Sequence, residues 1–197
     1  AGADIEAMAE MSPEEGRAFC RDGHSAMRAL EQLPVPVLAA VDGFALGGGL
    51  ELAVSCDLIY ASGRATFGLP EVGLGVIPGF GGTQRLARFV GWQHAKEIVF
   101  TGNNFDADRA ESIDLVCDVF HPDDFDSCVR DRAETIASRG PRAIREAKRV
   151  MNAGRNASLE TGLALERGAF SDVFDTEDRV EGMEAFVEGR DPDFSGK

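Results

Sequence analysis

The chain is 197 residues long and 44% hydrophobic, with 23 Gly and 8 Pro. That is ordinary globular composition for one domain, or one domain with a small appendage, and it excludes a disordered, collagen-like or disulfide-stapled chain. Lys plus Arg number 20 against 34 Asp plus Glu, a formal charge of −14 that opposes binding to nucleic acid or to anionic lipid.

Only three of the cations are lysines (Lys96, Lys148 and Lys197), and Asp and Glu are equally frequent. An acidic, lysine-poor surface suits concentrated salt, where self-repulsion is screened, so a salt-adapted, halophilic source is expected. Cys20, Cys56, Cys117 and Cys128 form no CxxC pair, and with His24, His94 and His121 they show no metal-ligand spacing. Free thiols in a reducing cytoplasm, and no metal, are the expectation. No uncharged apolar run approaches the roughly 18 residues that a membrane span needs. The opening AGADIEAMAE has no basic segment before an apolar one, so no signal peptide is read there.

Taken in chain order, residues 34–46 (PVPVLAAVDGFAL) form a nearly continuous apolar run, which predicts a fully buried strand. Gly47-Gly48-Gly49 turns the chain, LELAVSC follows as a helix, and residues 57–61 read as a second strand. Gly-rich loops run from Ala65 to Gly82, and Thr83 is the expected N-cap of a helix over TQRLARFV. A further helix spans Trp92 to Phe100, Asp106 is the expected cap of ADRAES, and a strand lies near residues 115–119. Helices are then expected at about 122–138, 141–153, 158–175 and 177–188, broken at Gly140-Pro141, Gly154 and Thr176. Glycine is dense before about residue 100 and amphipathic patterns dominate after it. Strand–helix alternation followed by a helical tail indicates an α/β fold, with an expected division into a core at 1–135 and a helical region at 136–197.

Two acids stand out. Glu51 sits in GGGLELAV, flanked by apolar residues, and Glu71 is the only charged residue from Phe67 through Gly82. A buried, lone carboxylate is costly and tends toward a raised pKa, so sequences keep one where it is paired or where it works. The other readings are a solvated helix-start acid for Glu51 and a loop-surface acid for Glu71, and the octamers alone leave both open. Two carboxylates in one pocket can divide acid and base work. The glycine triplet offers a third element: a close backbone approach and outward N–H groups that can hold an oxyanion.

The stretch PVPVLAAVDGFALGGGLELAVSCDLIYAS, followed by ATFGLPEVGLGVIPGFGGTQRL, resembles the enoyl-CoA hydratase (crotonase) family. AGADI resembles its first oxyanion-hole segment, and TGNNFDADRAES and EGMEAFVEGRDPDF resemble its later signatures, so the likeness runs along essentially the whole chain. The resemblance implies a ClpP-like spiral fold lacking its first strands, with a C-terminal helical region through which relatives form homotrimers or dimers of trimers. It implies an acyl-CoA substrate, with CoA carried by the substrate and no separate cofactor. By motif, the oxyanion-binding amides fall on Ala3 and Gly48, and the two glutamates of a hydratase fall on Glu51 and Glu71. The implied reaction is reversible syn addition of water to a 2-trans-enoyl-CoA, as in fatty-acid β-oxidation. Glu51 would act as base on the water and Glu71 would supply the proton to Cα. Asp4, Ile5, Gly49, Leu69 and Phe80 complete the implied substrate-contacting set. Asp4 and Asp57 read rather as turn and cap residues than as catalysts, Phe80 and Leu69 read equally as apolar packing, Arg85 and Gln84 as braces of the loop–helix junction, and the three histidines as surface residues.

The early strands and part of the CoA site usual in the family have no counterpart, and no initiating Met is present, so the chain reads as a fragment or a mis-assigned start. Asp114 stands where the family usually has Gly, and Gly189 where it usually has Lys. Two alternatives remain: another crotonase reaction, chiefly that of a Δ3-Δ2-enoyl-CoA isomerase, which manages with one carboxylate, and a non-catalytic acyl-CoA- or RNA-binding relative. The charge opposes the RNA version, and the presence of both glutamates opposes a dead site.

Overall fold

The structure, a computed structural model, describes residues 2–197. The chain divides into two compact units: Ala1–Glu31 with Val37–Val129, and Gln32–Pro36 with Arg130–Lys197.

The first unit opens with a short helix α1 (Ile5–Ala9) and a long one, α2 (Pro13–Glu31). The start of α2 is a capping box. The Ser12 N–H donates to Glu15 Oε2 at 2.8 Å, the Glu15 N–H points back at Ser12 Oγ, and Pro13 occupies the first helical position. Next come β1 (Leu38–Val41), β2 (Phe44–Leu46) and α3 (Gly48–Ala53). They are followed by β3 (Leu58–Ser62), β4 (Thr66–Gly68) and a 3-10 turn over Pro70–Leu74. The unit continues with α4 (Gly82–Thr101), β5 (Phe105–Asp106), α5 (Ala107–Ser112) and β6 (Asp118–Phe120). The helix α6 (Phe125–Ala137) follows β6.

The apolar run at 34–46 is not one buried strand. It breaks at Asp42-Gly43 into β1 and β2, which belong to different sheets, and Phe44 is 70% exposed. Asp42 pairs with Arg64 at the break, so a polar corner interrupts what composition alone reads as continuous. The strand pair β3 and β4 makes the same step. One sheet is therefore β1-β3-β6, all parallel, with Leu38 opposite Leu58 and Tyr60 opposite Asp118. The other is β2-β4-β5, with β2 parallel and β5 antiparallel to β4. Because β2 and β4 run side by side in one direction, the segments leaving their C-terminal ends emerge together. Those segments carry Glu51 and Glu71. Leu50, Ile59, Phe67, Leu69 and Leu86 fill the core between the sheets and helices.

Two helix starts differ in kind. Asp106 caps α5 as expected, its Oδ1 accepting from the Arg109 N–H. Thr83 does not cap α4: the cap is Gly81, and the Gly82 N–H is taken by the carboxylate of Glu51. Helix α4 breaks at Gly91 (φ 76°, ψ 161°), which separates the two expected helices.

The second unit holds α7 (Pro141–Gly154), α8 (Leu159–Phe174) and α9 (Glu177–Glu188), with α7 packed on α8. Thr176 caps α9, and buried Asp178 accepts N–H groups of Ser195 and Gly196, which ties down the C-terminal tail.

Candidate active site

Five segments of the first unit line one cavity of about 930 Å³. They are the start of the chain, α2, the β2–α3 turn, the 3-10 turn and the loop before α4. Ala3, Gly48, Glu51, Glu71, Ile5 and Phe80 all line it, so most of the residues picked out by sequence converge. Three do not. Asp4 is spent as the N-cap of α1, accepting from the Ala7 N–H at 3.1 Å. Leu69, just past the end of β4, is fully buried in the core. Gly49 sits one residue further along α3 and leaves the wall to Gly48.

The two amides come together through the glycine turn. Gly48 is the first residue of α3, so its N–H has no partner within the helix. Among the described residues, neither that N–H nor the Ala3 N–H donates to a backbone carbonyl. They are neighbours: a β-carbon placed on Gly48 would lie 3.7 Å from the Ala3 nitrogen. Gly47 makes the turn at φ 53°, where a β-carbon would be strained and would also stand 3.1 Å from Glu71 Oε1.

The carboxylates are held differently. Glu51 is 2% exposed, and its Oε1 accepts from the N–H groups of Phe80 and Gly82, both at 2.7 Å. Both bonds end on Oε1, which leaves Oε2 for a reacting group. Burial pushes the Glu51 carboxyl up, and the Gly82 and Phe80 N–H groups, with the nearby His24 and Arg85, pull it part of the way back. Glu71 has no such support: its Oε2 is buried without a hydrogen-bond partner. Burial pushes its carboxyl up as well; its own backbone N–H offsets part of this, and the charge of Glu51 adds to the rise. The site thus pairs a carboxylate held by two backbone N–H groups with one that has an oxygen left without a donor, both pushed up by burial, beside two unpartnered amides. Such a set can move protons across a polarised carbonyl compound.

Arg85 braces the junction as expected, reaching Glu31 at 2.8 Å and the Phe80 carbonyl at 2.9 Å. His24 is on the surface, yet it also lines the cavity, with Cys20 and Phe19. These three come from α2, a helix the periodicity reading passed over. The Ser12-Pro13-Glu14-Glu15 start was the available signal for it.

The sequence model described as enoyl-CoA hydratase/isomerase matches residues 1–197. The short-chain-enoyl-CoA hydratase of Clostridium acetobutylicum is 49% identical over 190 residues, covering 96% of this chain and 73% of the relative. The crotonyl-CoA hydratase of Syntrophomonas wolfei is 45% identical over 197 residues, covering 100% of this chain and 76% of the relative. A crystal structure of an enoyl-CoA hydratase from Bacillus anthracis superposes with a TM-score of 0.96 at 43% identity, covering 100% of this chain and 76% of that one.

Proposed function

Because the chain belongs to the enoyl-CoA hydratase/isomerase family, we propose that it is a hydro-lyase that adds water reversibly to a 2-trans-enoyl-CoA to give the 3-hydroxyacyl-CoA. The observation that carries this reading is the pair of unequal carboxylates sharing one cavity with the free Ala3 and Gly48 amides. The thioester oxygen sits between those amides. Addition at Cβ moves negative charge onto that oxygen, and each donor aimed at it contributes about 10²–10³ in rate. Glu51, whose ionised form is supported by two N–H groups, takes a proton from the water that attacks Cβ. Glu71, pushed up by burial and by the charge of Glu51 without such donors, delivers its proton to Cα. In dehydration the roles exchange. Only protons and water move, so the reaction calls for no cofactor beyond the CoA of the substrate.

The relatives' names include a short-chain-enoyl-CoA hydratase and a crotonyl-CoA hydratase, which supports a short acyl chain. Exposed Phe170, Phe186 and Val187 on α8 and α9 support assembly into a homotrimer or dimer of trimers. Among the described residues, no helix is long and apolar enough to cross a membrane; a cytoplasmic location remains part of the proposal. Mixing the protein with crotonyl-CoA tests the reading. Loss of the enoyl-thioester absorbance supports it, and absorbance that stays constant at micromolar enzyme overturns it. A 3-enoyl-CoA added in parallel measures any isomerase activity, seen as gain of conjugation.

A further inference from the structure

The loop that fixes Glu51 is itself fixed from its far side. Three successive peptide groups span Gly79 to Gly82. The first gives its N–H (Phe80) to Glu51 Oε1 at 2.7 Å, and its carbonyl (Gly79) accepts from Cys20 Sγ at 2.8 Å. The second turns its carbonyl (Phe80) to Arg85 Nη1 at 2.9 Å. The third gives its N–H (Gly82) to the same Glu51 oxygen at 2.7 Å. The guanidinium of Arg85 is in turn held by both oxygens of Glu31, at 2.8 and 3.1 Å. Cys20 and Glu31 lie on α2, and so does Gly23, against which the Phe80 ring rests. A β-carbon there would fall 2.0 Å from the ring.

We propose that Cys20 and the Glu31–Arg85 pair are positioning residues for Glu51, holding the Gly79 and Phe80 carbonyls outward so that the flanking N–H groups stay aimed at its carboxylate. This inference rests on the assignment of Glu51 as the base. Of the three residues, only Cys20 reaches the cavity wall, and its thiol is turned to the Gly79 carbonyl. The physical basis is the peptide group itself. A donor on its carbonyl polarises the unit and strengthens the bond made by its N–H, by about 10–30% per link. Cys20 acts on the same peptide whose N–H holds Glu51, so losing its thiol weakens that bond directly. Arg85 acts on the central peptide and fixes the turn that aligns the two donors. The charged and titratable groups facing Glu51 are His24 and Cys20 from α2, Arg85 from α4 and Glu71 from the 3-10 turn.

Carbon-13 NMR of the glutamate carboxyl carbons, followed over pH, tests this without relying on turnover. The Glu51 resonance is identified by its disappearance in Glu51→Gln. In Cys20→Ala its midpoint moves to higher pH by about 0.3–0.6 unit, as weaker donation to the ionised form requires. Cys20→Ser, whose hydroxyl can still donate to the Gly79 carbonyl, restores most of the shift. Arg85→Lys moves the midpoint the same way, since a single ammonium nitrogen lacks the rigid, spread fork with which Nε, Nη1 and Nη2 hold Glu31 and the Phe80 carbonyl together. The acid limb of kcat/KM for crotonyl-CoA follows these midpoints, with KM nearly constant. An unmoved Glu51 midpoint in folded Cys20→Ala and Arg85→Lys overturns the proposal. A wild-type protein that fails to hydrate crotonyl-CoA overturns the hydratase reading instead, and the titration still decides whether these residues position Glu51.

Discussion

The surroundings of Glu51 and those of Glu71 differ more than their shared cavity suggests. Glu51 leaves a helix start and meets the entry to another, α4, accepting the N–H of its first residue, Gly82, and that of Phe80 in the loop before it. Glu71 leaves a 3-10 turn and meets an apolar wall, with one oxygen unsatisfied and the charge of Glu51 nearby. One chemical group thus sits in two environments, told apart by whether backbone donors face it. The comparison teaches that the proposed division into base and acid draws on the neighbouring backbone rather than on the glutamates themselves.

Replacing either carboxylate gives the largest effect. Glu51→Gln and Glu71→Gln should each lower kcat for crotonyl-CoA by at least about 10²-fold with an unchanged circular dichroism spectrum. Near-normal turnover in either would break the comparison outright. Gly47→Ala should follow, with about a tenfold or greater loss of kcat/KM, because its β-carbon meets Glu71 Oε1 and its φ is positive. Stability gives a sharper test of Glu71. Its folded-state pKa is raised, so its contribution to stability is fully present below the unfolded value of about 4.3 and is lost as pH rises through the folded value. Glu71→Gln should therefore melt higher than wild type at pH 8, and the gap should close toward pH 4. A gap of the opposite sign would mean that Glu71 is stabilised as a carboxylate after all.

The smallest effects lie away from the site and should not distinguish the two glutamates. Asp114 holds φ 60°, a left-handed conformation that costs a non-Gly residue about 1 kcal/mol. Asp114→Gly should raise the melting temperature slightly and leave kcat unchanged. With a net charge of −14, stability should also rise with molar KCl as self-repulsion is screened. A flat or falling melting temperature would remove the salt-adaptation idea.

Much of the site was legible before the fold was known, because each residue sits in a compact motif. Glu51 follows the glycine triplet by two residues, and Glu71 is alone in an uncharged stretch. What escaped reading depends on direction in space. Leu69 and Gly49 share the motifs, yet Leu69 is buried in the core and Gly49 lies off the cavity wall, which spacing alone does not tell. The step from β1 to β2 is marked in the sequence only by Asp42-Gly43, a two-residue interruption that the apolar residues on either side mask. Helix α2 escaped because Gly16 and Gly23 interrupt its pattern, although Gly23 is what admits the Phe80 ring. The grip of Cys20 on a carbonyl 59 residues away is a long-range contact with no local signature.

The pH dependence of kcat/KM for crotonyl-CoA hydration, measured on wild type and Glu71→Gln, bears most directly on the division of labour between the two carboxylates. The account predicts a bell for wild type, with both limbs above the ordinary carboxylate range. Its acid limb belongs to Glu51, and its alkaline limb, belonging to Glu71, is missing from the residual activity of Glu71→Gln. A wild-type profile with no alkaline limb, or one whose alkaline limb survives in Glu71→Gln, would contradict it.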